Sequence, residues 1–440
     1  MKRLIGIAVI FTLVTASAFA QVQVSGQIRA GGDLVIIDSE DDSDPRTARL
    51  GESARVDFRV GNDREAGDVG GLIRLQANGG FSRAFAWWRP HNMVRLQFGQ
   101  NSDGDWGMAR INGWSFLNGD AMDLGVARRT QMRHAHAVGF YQGLGMQAIL
   151  LSVFPIDGLT VNFGLPLANQ GGGDGSFAWT NNNPNDNNPN LPAFWVFDGG
   201  INWSRADDAW KRVHAQAVYN INNIGIVSLS YAGGRGTTTV NNELVGGRNL
   251  VRNDLNAEGG VFYLSFFSGG TFVDGLDLNF GLSYEIPVVF EPAANTTVTV
   301  QDPMEIGLGV RYTAGDLGVS FRTAVSFLGS VKTEAGGTTT DATVPVMLGF
   351  NLLPNYAIGS MRVFLNLGLD LEMYDGETKD IQQRKGTAIQ WIVNPYVRIP
   401  VGGLQFFAGF SVEGYTDDNR QDPNDSAVVF RMPIGVVFSL

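Results

Sequence analysis

The chain has 440 residues, of which 44% are hydrophobic, 11% aromatic and only 17% charged. With no cysteine, it can hold no disulfide scaffold, zinc–thiolate site, iron–sulfur cluster or thiol nucleophile, and a formal net charge of −11 argues against nucleic acid, which needs a basic face. Its 57 glycines follow no three-residue period, which excludes collagen, and its wealth of apolar residues excludes a disordered chain.

In chain order, residues 1–20 read as a cleaved signal peptide. Lys2 and Arg3 supply the positive start, Leu4 to Val14 the apolar stretch, and Ala18-Phe19-Ala20 the small-x-small cut before Gln21. Its removal leaves the protein more acidic still, with Lys211, Lys332, Lys379 and Lys385 as its lysines. Nearly all remaining positive charge is therefore arginine, whose rigid fork suits carboxylates and phosphates. No later apolar run is long enough for a helical membrane span.

From Val22 onward the chain alternates. Val22, Val24, Gly26 and Ile28 share one face and Gln23, Ser25, Gln27 and Arg29 the other, the period-two signature of a strand. The pattern recurs at 54–60, 94–98, 276–285, 305–312, 361–372, 404–413 and 430–440. Several runs reach nine to eleven residues, long for a soluble sheet but right for a tilted transmembrane strand. No amphipathic helix is recognisable. Short connections at 90–92, 155–158, 273–275 and 401–403 contrast with long polar segments at 31–53, 168–193, 232–257, 291–303, 330–343, 374–388 and 416–427. Residues 181–190, NNNPNDNNPN, read as a surface loop. Residues 101–132 fit poorly between strands at 93–100 and 133–142, and up–down parity calls for one further strand within 106–127.

In lipid every backbone polar group must be paired, so a sheet crosses only as a closed barrel. Apolar-out, polar-in alternation with one-sided long loops meets that demand. The expectation is an all-β transmembrane antiparallel β-barrel, a single domain over 21–440. About 26 residues per strand and connection gives about 16 strands (14–18), with short periplasmic turns and long extracellular loops. Trp87, Trp88, Tyr284, Phe290, Tyr312, Tyr374 and Tyr415 lie near strand ends, as interface girdles require.

The leader, the Gly-rich acidic all-strand chain, the apolar-alternating last strand and residues 85–107 (FAWWRPHNMVRLQFGQNSDGDWG) together resemble outer-membrane porin-type barrels. The likeness is greatest to the treponemal porin-like proteins. That resemblance implies the outer membrane of a diderm bacterium, a passive channel for small hydrophilic solutes or ions, and a homo-trimer. The last strand resembles the signal read by barrel-assembly machinery; Leu440 replaces the usual terminal aromatic, with Phe438 in the same register.

Arg29, Arg55, Arg59, Arg74 and Arg95 fall on the polar faces of the first strands and predict a basic strip on one pore wall. Later polar faces carry Asp277, Glu285, Glu305, Asp370, Glu372 and Glu413, with Arg311, Arg322, Arg362 and Arg431 interspersed. Asp103, Asp105, Asp120, Asp123, Arg128, Arg129 and Arg133 make residues 101–132 a candidate constriction loop, similar in place to that of general porins. Folded inward, its carboxylates would face the arginines and set a transverse field.

His134 and His136 share a strand face but have no third ligand in sight, so no metal or other cofactor is expected. The acidic run 38–44 lacks calcium-loop spacing. Hydrolase elbow, zinc-protease and P-loop motifs are absent, so an enzyme is not expected. The rival readings are a surface adhesin whose loops bind host or matrix proteins, a barrel transporting hydrophobic molecules, and a secreted β-sandwich.

Overall fold

The computed structural model describes residues 22–38, 51–61, 69–76, 81–100, 147–166, 214–233, 260–269, 273–293, 295–301, 304–327, 330–343, 346–374, 386–417 and 426–439. Residues 1–20, expected to be a signal peptide, and residues 101–132 lie outside them. Among the described residues there is no helix, and the strands run in order as follows. The first seven are β1 (Val22–Asp38), β2 (Gly51–Gly61), β3 (Val69–Gln76), β4 (Phe81–His91), β5 (Val94–Gln100), β6 (Gln147–Ile156) and β7 (Leu159–Pro166). Next come β8 (His214–Ile221), β9 (Gly225–Gly233), β10 (Gly260–Phe267), β11 (Leu276–Glu285), β12 (Val288–Ala293), β13 (Thr296–Gln301), β14 (Met304–Ala314) and β15 (Leu317–Phe327). The chain finishes with β16 (Ser330–Ala335), β17 (Thr338–Thr343), β18 (Val346–Ile358), β19 (Met361–Tyr374), β20 (Gly386–Val401), β21 (Leu404–Gly409), β22 (Ser411–Asp417) and β23 (Ser426–Ser439).

Nineteen of these form one sheet in which each strand pairs antiparallel with its neighbours. β1 pairs with β2 on one side and with β23 on the other, so the sheet is closed. β21 and β22 are two halves of one stave. Tyr396 opposes Gly409 and Val393 opposes Val412, so the register passes unchanged through Phe410. The barrel therefore has 18 staves, not about 16. The average of about 26 residues per stave was too large because hairpins with two- or three-residue turns use far fewer.

β5 pairs directly with β6, from Val94↔Val153 to Gln100↔Gln147. The described wall thus has no stave between them, and its up–down parity is complete; the strands expected at 106–127 and 133–142 lie outside the described residues. One end of the barrel carries the tight turns at 92–93, 157–158, 315–316, 359–360 and 402–403. At the other end the strands β1, β5, β7 and β9 finish, at Asp38, Gln100, Pro166 and Gly233.

Two segments expected as polar loops are strands. Residues 291–303 and 330–343 enter the hairpins β12–β13 and β16–β17, and β13 pairs with β16 to make a separate four-stranded sheet. Alternating β-branched residues, as in Thr296-Thr297-Val298-Thr299-Val300, favour strand despite their polarity. Gly336 (φ 56) and Gly337 (φ 82) occupy the left-handed region that a two-residue hairpin turn requires.

Burial is inverted relative to a soluble fold. Ser152, Asn162, Gln216, Ser230, Asn279, Asn394 and Ser411 are buried, while Val24, Ile28, Leu229, Leu264, Leu308, Phe350 and Ile434 are exposed. The apolar residues form oblique outer rows: Leu229, Leu264, Leu282, Ile306, Val325, Leu348, Leu371 and Ile389 oppose one another in register across successive staves.

Trp88, Tyr284 and Tyr312 sit exposed near stave ends on this outer surface, as expected of girdles. Tyr231 and Phe262 add to the set, their rings 4.9 Å apart. From Leu276 to Tyr284 the stave rises about 27 Å at ~3.4 Å per residue. At a tilt of ~40° that is about 20 Å of height, close to the ~25 Å apolar band of such barrels. Four expected girdle residues do not fit. Trp87 is buried on the inner face. Phe290 belongs to β12, outside the wall. Tyr374 and Tyr415 occupy inner-face register positions, opposite Gly386 and Gln390 respectively.

Candidate functional site

The inner face is the candidate site, since alternation delivers every second residue of each stave to it. Across β5 to β10 it carries a hydrogen-bonded polar belt. Arg95 Nη2 donates to Ser152 Oγ at 3.1 Å. Asn162 Nδ2 donates to Gln216 Oε1 at 3.1 Å, Gln216 Nε2 donates to Ser230 Oγ at 3.0 Å, and the Ser228 and Ser265 hydroxyls lie 2.8 Å apart. These pairs are cross-strand neighbours, so each bond also fixes the register. On β18 and β19, Asn351 Nδ2 donates to Asn366 Oδ1 at 2.7 Å.

The expected basic strip is only partly assembled. Arg55 and Arg59 flank Asp57 on β2, and Asp57 takes both ends of the Arg74 fork at 2.5 Å. Arg55 is exposed and Arg59 half-buried. Position 29 faces Ser53 and Val437 in the register. Arg95 lies on β5, two staves beyond Arg74, and is buried. Leu72, Phe85 and Trp87 form an apolar cluster in the intervening space and interrupt the strip. Trp87 lies against Gly70, its register partner, where a Cβ would fall inside the indole ring.

The acidic residues are also distributed. Asp277 pairs with Arg311 on the adjacent stave, with Nε to Oδ2 at 2.6 Å. Glu413 accepts from Ser411 Oγ at 3.1 Å and faces Arg431 Nε at 3.6 Å, while Arg431 Nη1 reaches Asp33 Oδ2 at 3.3 Å. Asp370 is buried on the inner face. Positions 285, 305 and 372 hold inner-face register positions opposite Val261, Ser283 and Met347. Three of the wall's arginines thus stand beside carboxylates of an adjacent stave; the carboxylates expected to set a transverse field lie in 101–132, outside the described residues.

Asp103, Asp105, Asp120, Asp123, Arg128, Arg129 and Arg133 lie outside the described residues, as do His134, His136 and Leu440. Phe438 takes its place on the outer face of β23, opposite Ile28 and Leu404. Among the described residues there is no group of three or more metal-ligating side chains.

Sequence reading missed the arginines that rest on aromatic rings. The guanidinium carbons of Arg89 and Arg95 lie 5.1 Å and 5.3 Å from the centroid of the Phe154 ring. That of Arg398 lies 5.4 Å from the Phe364 ring, which stacks on Tyr396 with centroids 4.6 Å apart and planes 3° from parallel. All are near the turn end of the wall. The alternation Val397-Arg398-Ile399 is a usable signal for Arg398; the ring beneath it belongs to a neighbouring stave and leaves no local signal.

No family model matches the chain, and no curated protein matches it. Solved structures do. Vibrio cholerae outer-membrane-expressed OmpT is 12% identical, with a TM-score of 0.43, covering 96% of this chain and 99% of that one. Pseudomonas aeruginosa OpdL is 12% identical, with a TM-score of 0.47 over 96% and 99% of the two chains. Pseudomonas aeruginosa OccK2 (OpdF), solved in complex with glucuronate, is 11% identical, with a TM-score of 0.46 over 96% and 98%. These likenesses do not establish a treponemal relationship.

Proposed function

We propose that the protein is an outer-membrane porin, a passive diffusion channel for small hydrophilic solutes or ions. The observation that carries this reading is the inverted burial of a closed barrel, with amides, hydroxyls and ion pairs inside and large apolar side chains outside. Only a solvent that is apolar outside and wet inside stabilises that distribution. No covalent chemistry is involved. Membrane lipid is the outer partner and dissolved solute the inner one. The tight-turn end faces the periplasm, and the end of long connections faces outward. Barrel-assembly machinery reads the last stave through Phe438 and Leu440, the mature protein is a homo-trimer of such barrels, and residues 85–107 support a treponemal-type origin.

The test is single-channel current from the detergent-folded mature protein in a planar bilayer. Stable conductance steps are expected. A folded, membrane-inserted, β-rich sample that gives no steps overturns the channel reading and favours the surface-adhesin one.

A further inference from the structure

We propose that an oblique row of interrupted ladder bonds from β18 to β1 is a hinge, about which the turn-end part of that wall tilts and varies the width of the barrel's mouth. The inference needs only the closed wall and stands whether or not the barrel conducts.

Pro354 on β18, Leu365 on β19 and Pro395 on β20 share one row: Leu365 stands opposite Pro395, and the β18–β19 register places Pro354 beside Leu365. The register carries the row on through Phe410, between β21 and β22, to Met432 on β23. Proline brings no N–H to a ladder, and inside a sheet it is ordinarily confined to edges, strand starts and bulges. A closed barrel has no edge, yet Pro354, Pro395 and Pro433 all lie within staves.

Each proline coincides with a lapse in pairing. Ala357 N–H donates to Asp316 O at 2.9 Å on the β15 side. Three residues back, the nitrogen of Pro354 therefore points at β19, and there the pairing skips Leu353 and Pro354. Phe410 N–H donates to Pro395 O at 2.9 Å, but the return bond of such a pair needs the N–H that Pro395 lacks. Asn394 Nδ2 substitutes for it from the inner face, donating to Phe410 O at 2.6 Å. Pairing with β23 stops at Ala408↔Ile434 and resumes at Ser411↔Arg431, skipping Met432 and Pro433. Between β23 and β1 the register shifts between Asp33 and Ile36. On β11, β14 and β15, which hold no proline, the ladders run unbroken.

A single lapse lets one strand bend, but intact neighbours hold it straight. Lapses aligned across neighbouring staves give them a common axis. On the turn side of that axis the inner face carries Tyr396 and Phe407, both buried, so tilting this part of the wall changes the lumen there.

The experiment measures that width by pulsed electron paramagnetic resonance on the full mature barrel in lipid nanodiscs. The chain has no cysteine, so Asp157→Cys with Ser360→Cys places one spin-label pair across the mouth, on turns nearly opposite in the ring of staves. Asp157→Cys with Asp316→Cys is the reference pair, on the side where the ladders are unbroken. A broad distance distribution is expected for 157/360 and a narrow one for 157/316. Pro395→Ala supplies the missing N–H and should narrow the 157/360 distribution; Asn394→Ala removes the substitute donor and should broaden it. Hydrogen exchange should be about tenfold faster in peptides containing Leu365 and Phe410 than in those containing Val310 and Phe321.

A 157/360 distribution as narrow as the reference, or one that neither substitution changes, overturns the hinge, as does equal exchange in the two sets of peptides. Circular dichroism confirms that each variant keeps its β-content, and Asn394→Ala decides the matter if Pro395→Ala fails to fold.

Discussion

Leu308 lies midway along β14, between Phe280 and Thr323 on the outer face, and is 42% exposed. Slightly more than half of its side chain is thus covered by neighbouring staves, and the rest meets whatever surrounds the barrel. If that is lipid, the whole side chain is removed from water. Truncation to alanine deletes three apolar carbons at ~0.8 kcal/mol each, so Leu308→Ala should cost about 2 kcal/mol. Arginine at mid-bilayer depth adds about 2–4 kcal/mol. Leu308→Phe stays apolar and should cost under about 1 kcal/mol. If the same face met water, only the covered half would count. The alanine cost would fall to about 1 kcal/mol, and arginine would be accepted within about 0.5 kcal/mol, as exposed substitutions usually are. The assay is reversible urea unfolding in phospholipid vesicles, read by tryptophan fluorescence. The expected order of stability is Phe, Ala, Arg. A Leu308→Arg variant as stable as the parent would refute a lipid-facing outer surface and with it the membrane barrel.

Three further outcomes follow from the wall and its extension. Arg74→Ala removes the fork that holds Asp57, and because the two side chains are only 12% and 18% exposed the loss should be about 2–3 kcal/mol; the double variant with Asp57→Ala should recover part of it in a double-mutant cycle. Gly70→Ala drives a methyl group into the Trp87 indole and should cost about 1–3 kcal/mol, with a shifted tryptophan emission that Gly71→Ala does not produce. Replacing Gly336 and Gly337 by alanine puts two Cβ atoms at positive φ, so amide exchange should accelerate in β16 and β17 and stay unchanged in β14 and β15.

The wall was legible wherever its two faces differ in polarity. β11, β14 and β19 alternate cleanly, and their inner and outer residues fall as read. Legibility failed for three physical reasons. Polar composition predicts loop at 291–303 and 330–343, yet threonine is both polar and strand-forming. Nearness to a strand end predicts a girdle position for Trp87, but it does not report the face, and the ring packs inside with Leu72 and Phe85. Pairing between distant segments leaves no local signal, so the β5–β6 contact, and with it the number of staves, could not be read from 101–146. The candidate site suffered most from this third limit. Single arginines could be assigned to a face, but whether a carboxylate, a ring or a second arginine stands opposite depends on register.

The closing seam sets the order in which the protein can be made. Gln27 meets Ser439 across 412 positions of sequence, whereas the other pairings along the wall join successive staves. Bringing such distant ends together costs on the order of 5 kcal/mol of chain entropy from the logarithmic term alone, returned only once the long β1–β23 ladder has formed. Seventeen-residue β1 must therefore wait with an unpaired edge until the final strand arrives. During that interval β1 and β23 are templates for any other extended chain, so the slow, aggregation-exposed step of biogenesis is the last one. Substitutions confined to this seam should change the yield of assembled protein more than its stability once assembled.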